Sequence, residues 1–342
     1  MAEKSFPLNP STTCLDFNQT LNKRGTFIGK GAYGDVYEYD HEGIRAVVKC
    51  CQYNSPTKKM DLIFEINALE TIYHPNIVRI LAYAHKDKGN SGEFLITMEH
   101  AGKTLTQAVQ QGEIKTAALC LNMFIQICSG LEYMHNLSER YVHRDLKPDN
   151  IFVLRNEDIT NARHVNFYTV KIGDLGETSY FTGSDGEMER HAQGTPIYMA
   201  YEIFLKYAHG ERVKHLDYTQ SVDIYALALI FMYMVSDGIL PFNMDVAQTS
   251  EKIPCLPDYF PAKVTNILVK MLHKNSESRP NIKDCRYYFE HFLKDSDTKK
   301  KMKKSWKAYR KSLKEQRIIN YDYKSLKDVI LNISDSNSSS DD

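Results

Sequence analysis

The sequence predicts an α+β chain of two lobes: a small antiparallel-sheet lobe with one main helix, then a larger, mainly helical lobe. Short alternating runs crowd the early chain, namely Thr26-Phe-Ile-Gly, Asp35-Val-Tyr-Glu-Tyr, Arg45-Ala-Val-Val-Lys and Glu93-Phe-Leu-Ile-Thr-Met. A period of two is the signature of half-buried strands. Beyond Gly102 the pattern changes to long helical segments, clearest over 116–136 and 221–235. The second of these is apolar on every side, which predicts a helix through the middle of its lobe.

One helix interrupts the strand-rich part. Positions 61–73 place Leu62, Ile66, Leu69 and Tyr73 on one stripe, and the helix should end before His74-Pro75, because a proline disfavours helical backbone in the residue before it. The organisation read from these patterns is an extension over 1–22, a small lobe over 23–100 and a large lobe over 101–294. A polar insertion at 155–169 lies inside an expected hairpin, and a basic then acidic tail covers 295–342.

Composition bounds the function. The 342 residues carry 43 basic and 43 acidic side chains, so the whole-molecule field gives no reason to expect nucleic-acid binding. Seven cysteines show neither CxxC pairs nor a disulfide-dense pattern, which points to a reducing, intracellular compartment, cytoplasmic with nuclear residence left open. The start lacks the apolar core of a secretory signal, and the longest apolar run, 224–235, is too short for a bilayer, so no membrane span is expected.

Chemistry concentrates in three places. Gly29, Gly31 and Gly34 lie between two strand-like runs, where residues without Cβ let backbone N–H groups approach phosphates. A dinucleotide fold would need a helix directly after the third glycine, and here Asp35-Val-Tyr-Glu-Tyr reads as strand. Lys49 ends the run Arg45-Ala-Val-Val-Lys, and Glu65 on the following helix is the best carboxylate to fix its ammonium group. A surface lysine and a solvated glutamate are the plain alternatives for either residue alone. The segment Tyr141-Val-His-Arg-Asp-Leu-Lys-Pro-Asp-Asn150, followed by Asp174-Leu-Gly176, spaces Asp145, Lys147, Asn150 and Asp174 as phosphoryl transfer from a metal nucleotide requires.

These motifs, in this order, resemble the eukaryotic protein kinase family, serine/threonine branch, over 27–294. The resemblance implies a bilobal kinase fold, ATP and Mg2+ as cofactors, and protein substrates. Asp145 would orient the attacking hydroxyl and accept its proton, Lys147 would neutralise the transferring phosphoryl, and Asn150 and Asp174 would hold the metal. Lys49 and Glu65 would form the phosphate-gripping pair, with Thr195 bridging Asp145 and Lys147. Ile28, the three glycines, Val36, Ala46 and Phe152 would enclose the nucleotide. Met98 would stand at the back of the pocket, and Glu99 and Ala101 would offer backbone hydrogen bonds. Leu69, Ile80, His143 and Leu175 would form an apolar column between the lobes, Asp223 would hold the catalytic loop from below, and Glu202 would pair with Arg279. A pseudokinase or scaffold is the alternative, which the intact catalytic set disfavours; a small-molecule kinase is disfavoured by the docking-type segment Gly194-Thr-Pro-Ile-Tyr-Met-Ala-Tyr-Glu202.

The chain also departs from the family pattern. Leu175 replaces the commoner phenylalanine, Tyr201 a proline, and His191 stands where many relatives carry a phosphorylated hydroxyl that the catalytic-loop arginine, here Arg144, captures. Activity is therefore expected without phosphorylation there, with Glu187 or Glu189 partly supplying the charge, while Thr182 and Ser184 stay open as phosphosites. In the tail, 299–317 carries ten basic residues against one acid, with Met302, Trp306, Tyr309, Leu313 and Ile319 at helical spacing. Three readings compete: a charged helix packed on the lobe, a polyanion or nuclear-import patch, and a calmodulin-like regulatory target.

Overall fold

The structure is a computed structural model, and it describes residues 13–31, 34–137, 141–178, 189–191, 194–214, 217–238, 240 and 261–315. Its first lobe is a six-stranded sheet built from β1 (Thr13–Cys14), β2 (Arg24–Gly31), β3 (Gly34–His41), β4 (Ile44–Tyr53), β5 (Ile80–Asp87) and β6 (Gly92–Glu99), in the order β1-β5-β6-β4-β3-β2. All neighbours are antiparallel except β1 on β5. Strand β4 sits between β3 and β6, which explains why Ala46 and Val48 are fully buried.

Part of the segment read as an extension is built into this lobe. Thr13 and Cys14 pair with Ala82 and Tyr83, and α1 (Phe17–Asn22) follows, capped by the Asp16 side chain on the Gln19 N–H. Phe17, with Leu15 and Leu21 beside it, packs on Tyr39, Val48 and Leu95. So short an element has too few residues to show a period.

Helix α2 (Pro56–Thr71) begins five residues earlier than the stripe suggested. Ser55 caps it by accepting from the Lys58 N–H, and Pro56 fills the first turn, where a missing N–H costs nothing. Leu62, Ile66 and Leu69 are buried as expected. Tyr73 lies beyond the helix and is 66% exposed, with the Arg79 guanidinium over its ring.

The second lobe opens with β7 (Lys103–Thr104) and α3 (Leu105–Gln110), then α4 (Ala117–Asn136), capped by Thr116. Strands β8 (Ile151–Arg155) and β9 (Tyr168–Ile172) form the hairpin that the 155–169 insertion spans, closed by the Arg155 and Tyr168 pair. The short strands β10 (Glu189–His191) and β11 (Arg212–Lys214) pair around α5 (Tyr201–Ala208). Helix α6 (Ser221–Val235) is buried on all sides, followed by α7 (Ala262–Met271), α8 (Ile282–Lys294) and α9 (Ser296–Glu315). Phe124 of α4, Phe231 of α6 and Phe289 of α8 meet with ring centroids 4.4–4.9 Å apart, locking three helices together.

Helix α4 is long and apolar enough to cross a membrane by length and composition, yet most of it is buried in the lobe. The tail helix α9 packs on α8 and α4, with Met302 and Trp306 buried in the lobe's core. The packed-helix reading of the tail therefore fits Met302 and Trp306. The side chains of Tyr309 and Leu313, and Ile319, lie outside the described residues, as do Thr182, Ser184 and Glu187.

Candidate active site

The cleft between the lobes is built from elements distant in sequence. Lys49, in mid-strand β4 rather than at its end, places Nζ 2.6 Å from Glu65 Oε1 on α2 and 3.3 Å from Asp174 Oδ1 after β9. Both Lys49 and Glu65 are nearly sealed from solvent. Burial pulls the Lys49 ammonium down, but Glu65 and Asp174 outweigh it and hold the group above its ordinary value. For Asp174, burial pushes the carboxyl up; Lys49 beside it reverses the balance, so it sits below its ordinary value and stays ionised. Asp174 adopts a left-handed backbone, φ 59°, which turns its carboxylate from the strand into the cleft.

The loop after α4 presents the second group. Lys147 Nζ donates to Asp145 Oδ2 at 2.6 Å and to Thr195 Oγ1 at 2.8 Å, and Thr195 Oγ1 donates to Asp145 Oδ1 at 2.8 Å. Asn150 Nδ2 donates to the Asp145 carbonyl at 2.8 Å and to Oδ2 at 3.1 Å. Its amide nitrogen is thus committed and its carbonyl oxygen remains for a cation. The Gly173 N–H donates to the Asn150 carbonyl at 2.9 Å, tying this loop to the Asp174 segment. Gly194 holds φ at +116°, and a Cβ there would lie 2.9 Å from the Arg144 carbonyl, so Thr195 reaches Asp145 only because its neighbour is glycine.

Beneath them, Asp223 of α6 accepts the backbone N–H groups of His143 at 2.9 Å and Arg144 at 3.0 Å. His143 in turn shares a 3.1 Å hydrogen bond between its Nε2 and the Gly173 carbonyl. Leu69, Ile80 and Leu175 are buried in one cluster, and α2 packs on the turn that carries Leu175. His143 is fully buried as well.

Around the nucleotide position, Gly29 pairs with Val36, Gly31 with Gly34, and Ala46 with Glu99. A Cβ on Gly29 would meet nothing within 4 Å, leaving open space on that side of the turn. Gly34 serves a different end: a Cβ there would fall 2.0 Å from the Cys50 carbonyl oxygen, so it lets β3 approach β4. Ile28 is 49% exposed; Val36, Met98 and Phe152 are half-buried, and Ala101 is buried. The Glu99 N–H is spent on the Arg79 carbonyl, which leaves its own carbonyl for a ligand, and its carboxylate pairs with Lys171 at 2.8 Å.

Glu202 and Arg279 form a two-pronged ion pair at 2.6 and 2.8 Å, with the guanidinium also donating to three backbone carbonyls. Tyr201 takes the first position of α5 with Lys274 Nζ 4.5 Å above its ring. Two contributors escaped the sequence reading. His135 Nε2 lies 2.9 Å from Asp223 Oδ2, and the Arg144 guanidinium rests 4.1 Å over the Tyr218 ring. Nothing local marks either residue, since His135 and Asp223 are 88 positions apart.

A lysine clamped by two carboxylates from opposite lobes and an aspartate held by lysine and threonine form the arrangement that phosphoryl transfer from a nucleotide would call for. A family model for the protein kinase domain matches residues 23–289. The chain belongs to the protein kinase family, whose members use ATP, a divalent metal and protein substrates.

Among its relatives, the serine/threonine-protein kinase Nek11 of Mus musculus is 28% identical over 75% of this chain and 39% of its own length. The dual specificity protein kinase shkE of Dictyostelium discoideum is 25% identical over 79% of this chain and 36% of its own. The interferon-induced, double-stranded RNA-activated protein kinase of Rattus norvegicus is 28% identical over 80% of this chain and 52% of its own. The chain thus spans about half the length of these relatives or less.

Proposed function

We propose that the chain is a serine/threonine protein kinase that transfers the γ-phosphoryl of ATP, with Mg2+, to hydroxyl groups of protein substrates. The observation that carries this reading is the clasp of Lys147 and Thr195 on Asp145. A lysine two residues after the aspartate belongs to the serine/threonine branch that the sequence resembles. Asp145 keeps spare lone pairs on both oxygens, so it can accept the hydroxyl proton while Lys147 turns toward the phosphoryl group.

The donor set fits a small hard cation: the Asp174 carboxylate and the Asn150 amide oxygen would hold Mg2+, which screens phosphate charge. Lys49, fixed by Glu65, grips the phosphates; Ile28, Val36, Ala46, Met98 and Phe152 bury the base, and the backbones of Glu99 and Ala101 hydrogen-bond its edge. Activity does not require a phosphate at position 191: no hydroxyl stands there, and Arg144 already stacks on Tyr218. Phosphatase-treated protein should stay active, and loss of nearly all activity would end that part of the reading. An intracellular location, cytoplasmic or nuclear, fits six described cysteines that are all free thiols.

The test is direct. Purified protein with Mg2+ and labelled ATP should phosphorylate itself or a generic basic protein on serine or threonine, and Asp145→Ala should abolish the signal. Label on tyrosine would assign dual specificity instead, and no transfer by the wild type would favour a scaffold.

A further inference from the structure

Between α7 and α8 the surface opens into a cavity of about 410 Å3. Lys263 and Lys270 flank it from α7; Tyr287, Tyr288 and His291 line it from α8. No carboxylate belongs to its lining. Tyr287 is 67% and Tyr288 42% exposed, a large aromatic area left in water. Among the described residues neither lysine makes an ion pair, although Asp295 lies near enough to Lys263 to feel its charge. The chain as a whole is neutral, with 43 basic and 43 acidic residues, so this is a local concentration of one sign beside apolar rings.

The same chain carries the complement. Residues 334–342, Ser-Asp-Ser-Asn-Ser-Ser-Ser-Asp-Asp, hold three aspartates and no basic residue. Reach decides which part of the tail can return to the groove. The groove lies near Asp295, where α9 begins, and α9 then runs for 20 residues, roughly 30 Å at helical rise. Tyr321 and Tyr323 follow the helix by only six to eight residues, about 20–25 Å fully extended, less than the length of α9 itself. The 19 residues from Gln316 to Ser334 can span about 60 Å, twice the length of α9.

We propose that the acidic segment 334–342 docks intramolecularly on the α7–α8 groove, its aspartates facing Lys263 and Lys270 and its backbone covering Tyr287 and Tyr288. A rival surface exists on α9, where Lys300, Lys301, Lys303 and Lys304 are exposed. Among its described side chains the one aromatic, Trp306, is buried, so it offers charge without an exposed aromatic floor, and Lys301 is already paired with Asp297.

The experiment uses the full chain and a carbodiimide, which joins a carboxylate to a lysine amine in contact with it, followed by mapping of the linked peptides. The expected result is linkage of Asp335, Asp341 or Asp342 to Lys263 or Lys270 within one molecule. Its yield should not depend on protein concentration, and it should disappear in 1 M salt, where screening shortens charge attraction to about 3 Å. Lys263→Glu with Lys270→Glu should abolish these links, and adding Asp341→Lys with Asp342→Lys should restore them at the same positions. Tail aspartates linked only to Lys299–Lys304, linked only between two molecules, or not linked at all would each overturn the proposal. Melting temperature is read in parallel, and since both lysines are exposed and make no ion pair among the described residues, the folded state should be unchanged.

Discussion

Asp223 and His143 are joined across eighty positions of sequence by one 2.9 Å hydrogen bond, from the His143 backbone N–H to Asp223 Oδ2. That bond fixes the catalytic loop to the helix running through the large lobe. It makes the loop's geometry depend on a residue that touches no substrate.

The Asp223 carboxyl is fully buried. Burial pushes its pKa up, but the His135 hydrogen bond and charge, the nearby His143 and the loop N–H groups outweigh it and hold the group below its ordinary value of 3.8. A depressed carboxyl contributes stability above its unfolded pKa, and that contribution is lost as pH falls through the folded value. Asp223→Asn should therefore lower stability at neutral pH, and the gap from wild type should narrow as pH drops below about 4. Denaturant melts from pH 3 to 7 check it; a gap that widened in acid would refute the electrostatic reading.

Lys49→Met removes the cation while keeping the side chain's length. Loss of one such phosphate contact should lower kcat/KM by about 10²-fold or more, with little loss of stability because Glu65 can take up a proton in its buried site. Steady-state kinetics with melting curves separate the two effects. Glu65→Gln should cost less, since Asp174 still faces the ammonium group at 3.3 Å.

Thr195→Val deletes the hydroxyl that joins Asp145 to Lys147 at 2.8 Å on each side. The expected outcome is a fall in kcat of roughly 10-fold to 10²-fold with an almost unchanged Kd for ATP, because the contact orients the proton acceptor and does not grip the nucleotide. Thr195→Ser should recover most of the rate. A weakened nucleotide affinity with normal kcat would contradict this assignment.

Trp306 is the only tryptophan and is 5% exposed. Its fluorescence should be blue-shifted in the native chain and move to the red on unfolding. Trp306→Ala should destabilise by about 3 kcal/mol, the usual cost of emptying a large buried aromatic site. Calcium-loaded calmodulin should leave the native emission unchanged; a shift would favour the regulatory-target reading of the tail.

Thiol labelling offers a further check. Cys14 is exposed, while burial raises the Cys51 and Cys285 thiols to about 12. At pH 8 the native chain should label at Cys14 and not at Cys51 or Cys285 until it unfolds, since the thiolate is the reactive form.

The lobes, the main helices and the catalytic residues were legible because each has a short-range signature. Period two marked β3 and β4, an all-apolar run marked α6, and motif spacing marked Asp145, Lys147, Asn150 and Asp174. The β1 strand and α1 were not legible, because two paired residues and a six-residue helix carry no period. Strand β5 was missed too, its sequence Ile-Leu-Ala-Tyr-Ala-His lacking clean alternation because four of its eight residues are buried, three of them in a row. His135 and Tyr218 were invisible, since their partners lie far away in the chain.

The amino-acid sequence alone picked out the groups that the fold brings together in the cleft, Lys49, Glu65, Asp145, Lys147, Asn150 and Asp174, since reaction chemistry restricts residue type and local spacing tightly. Tertiary structure alone decided further supports that hold those groups still: His135 behind the Asp223 anchor and Arg144 on Tyr218. Such supports are contacts between surfaces brought together by folding, and any well-packed or hydrogen-bonding neighbour can serve, so no local pattern encodes them.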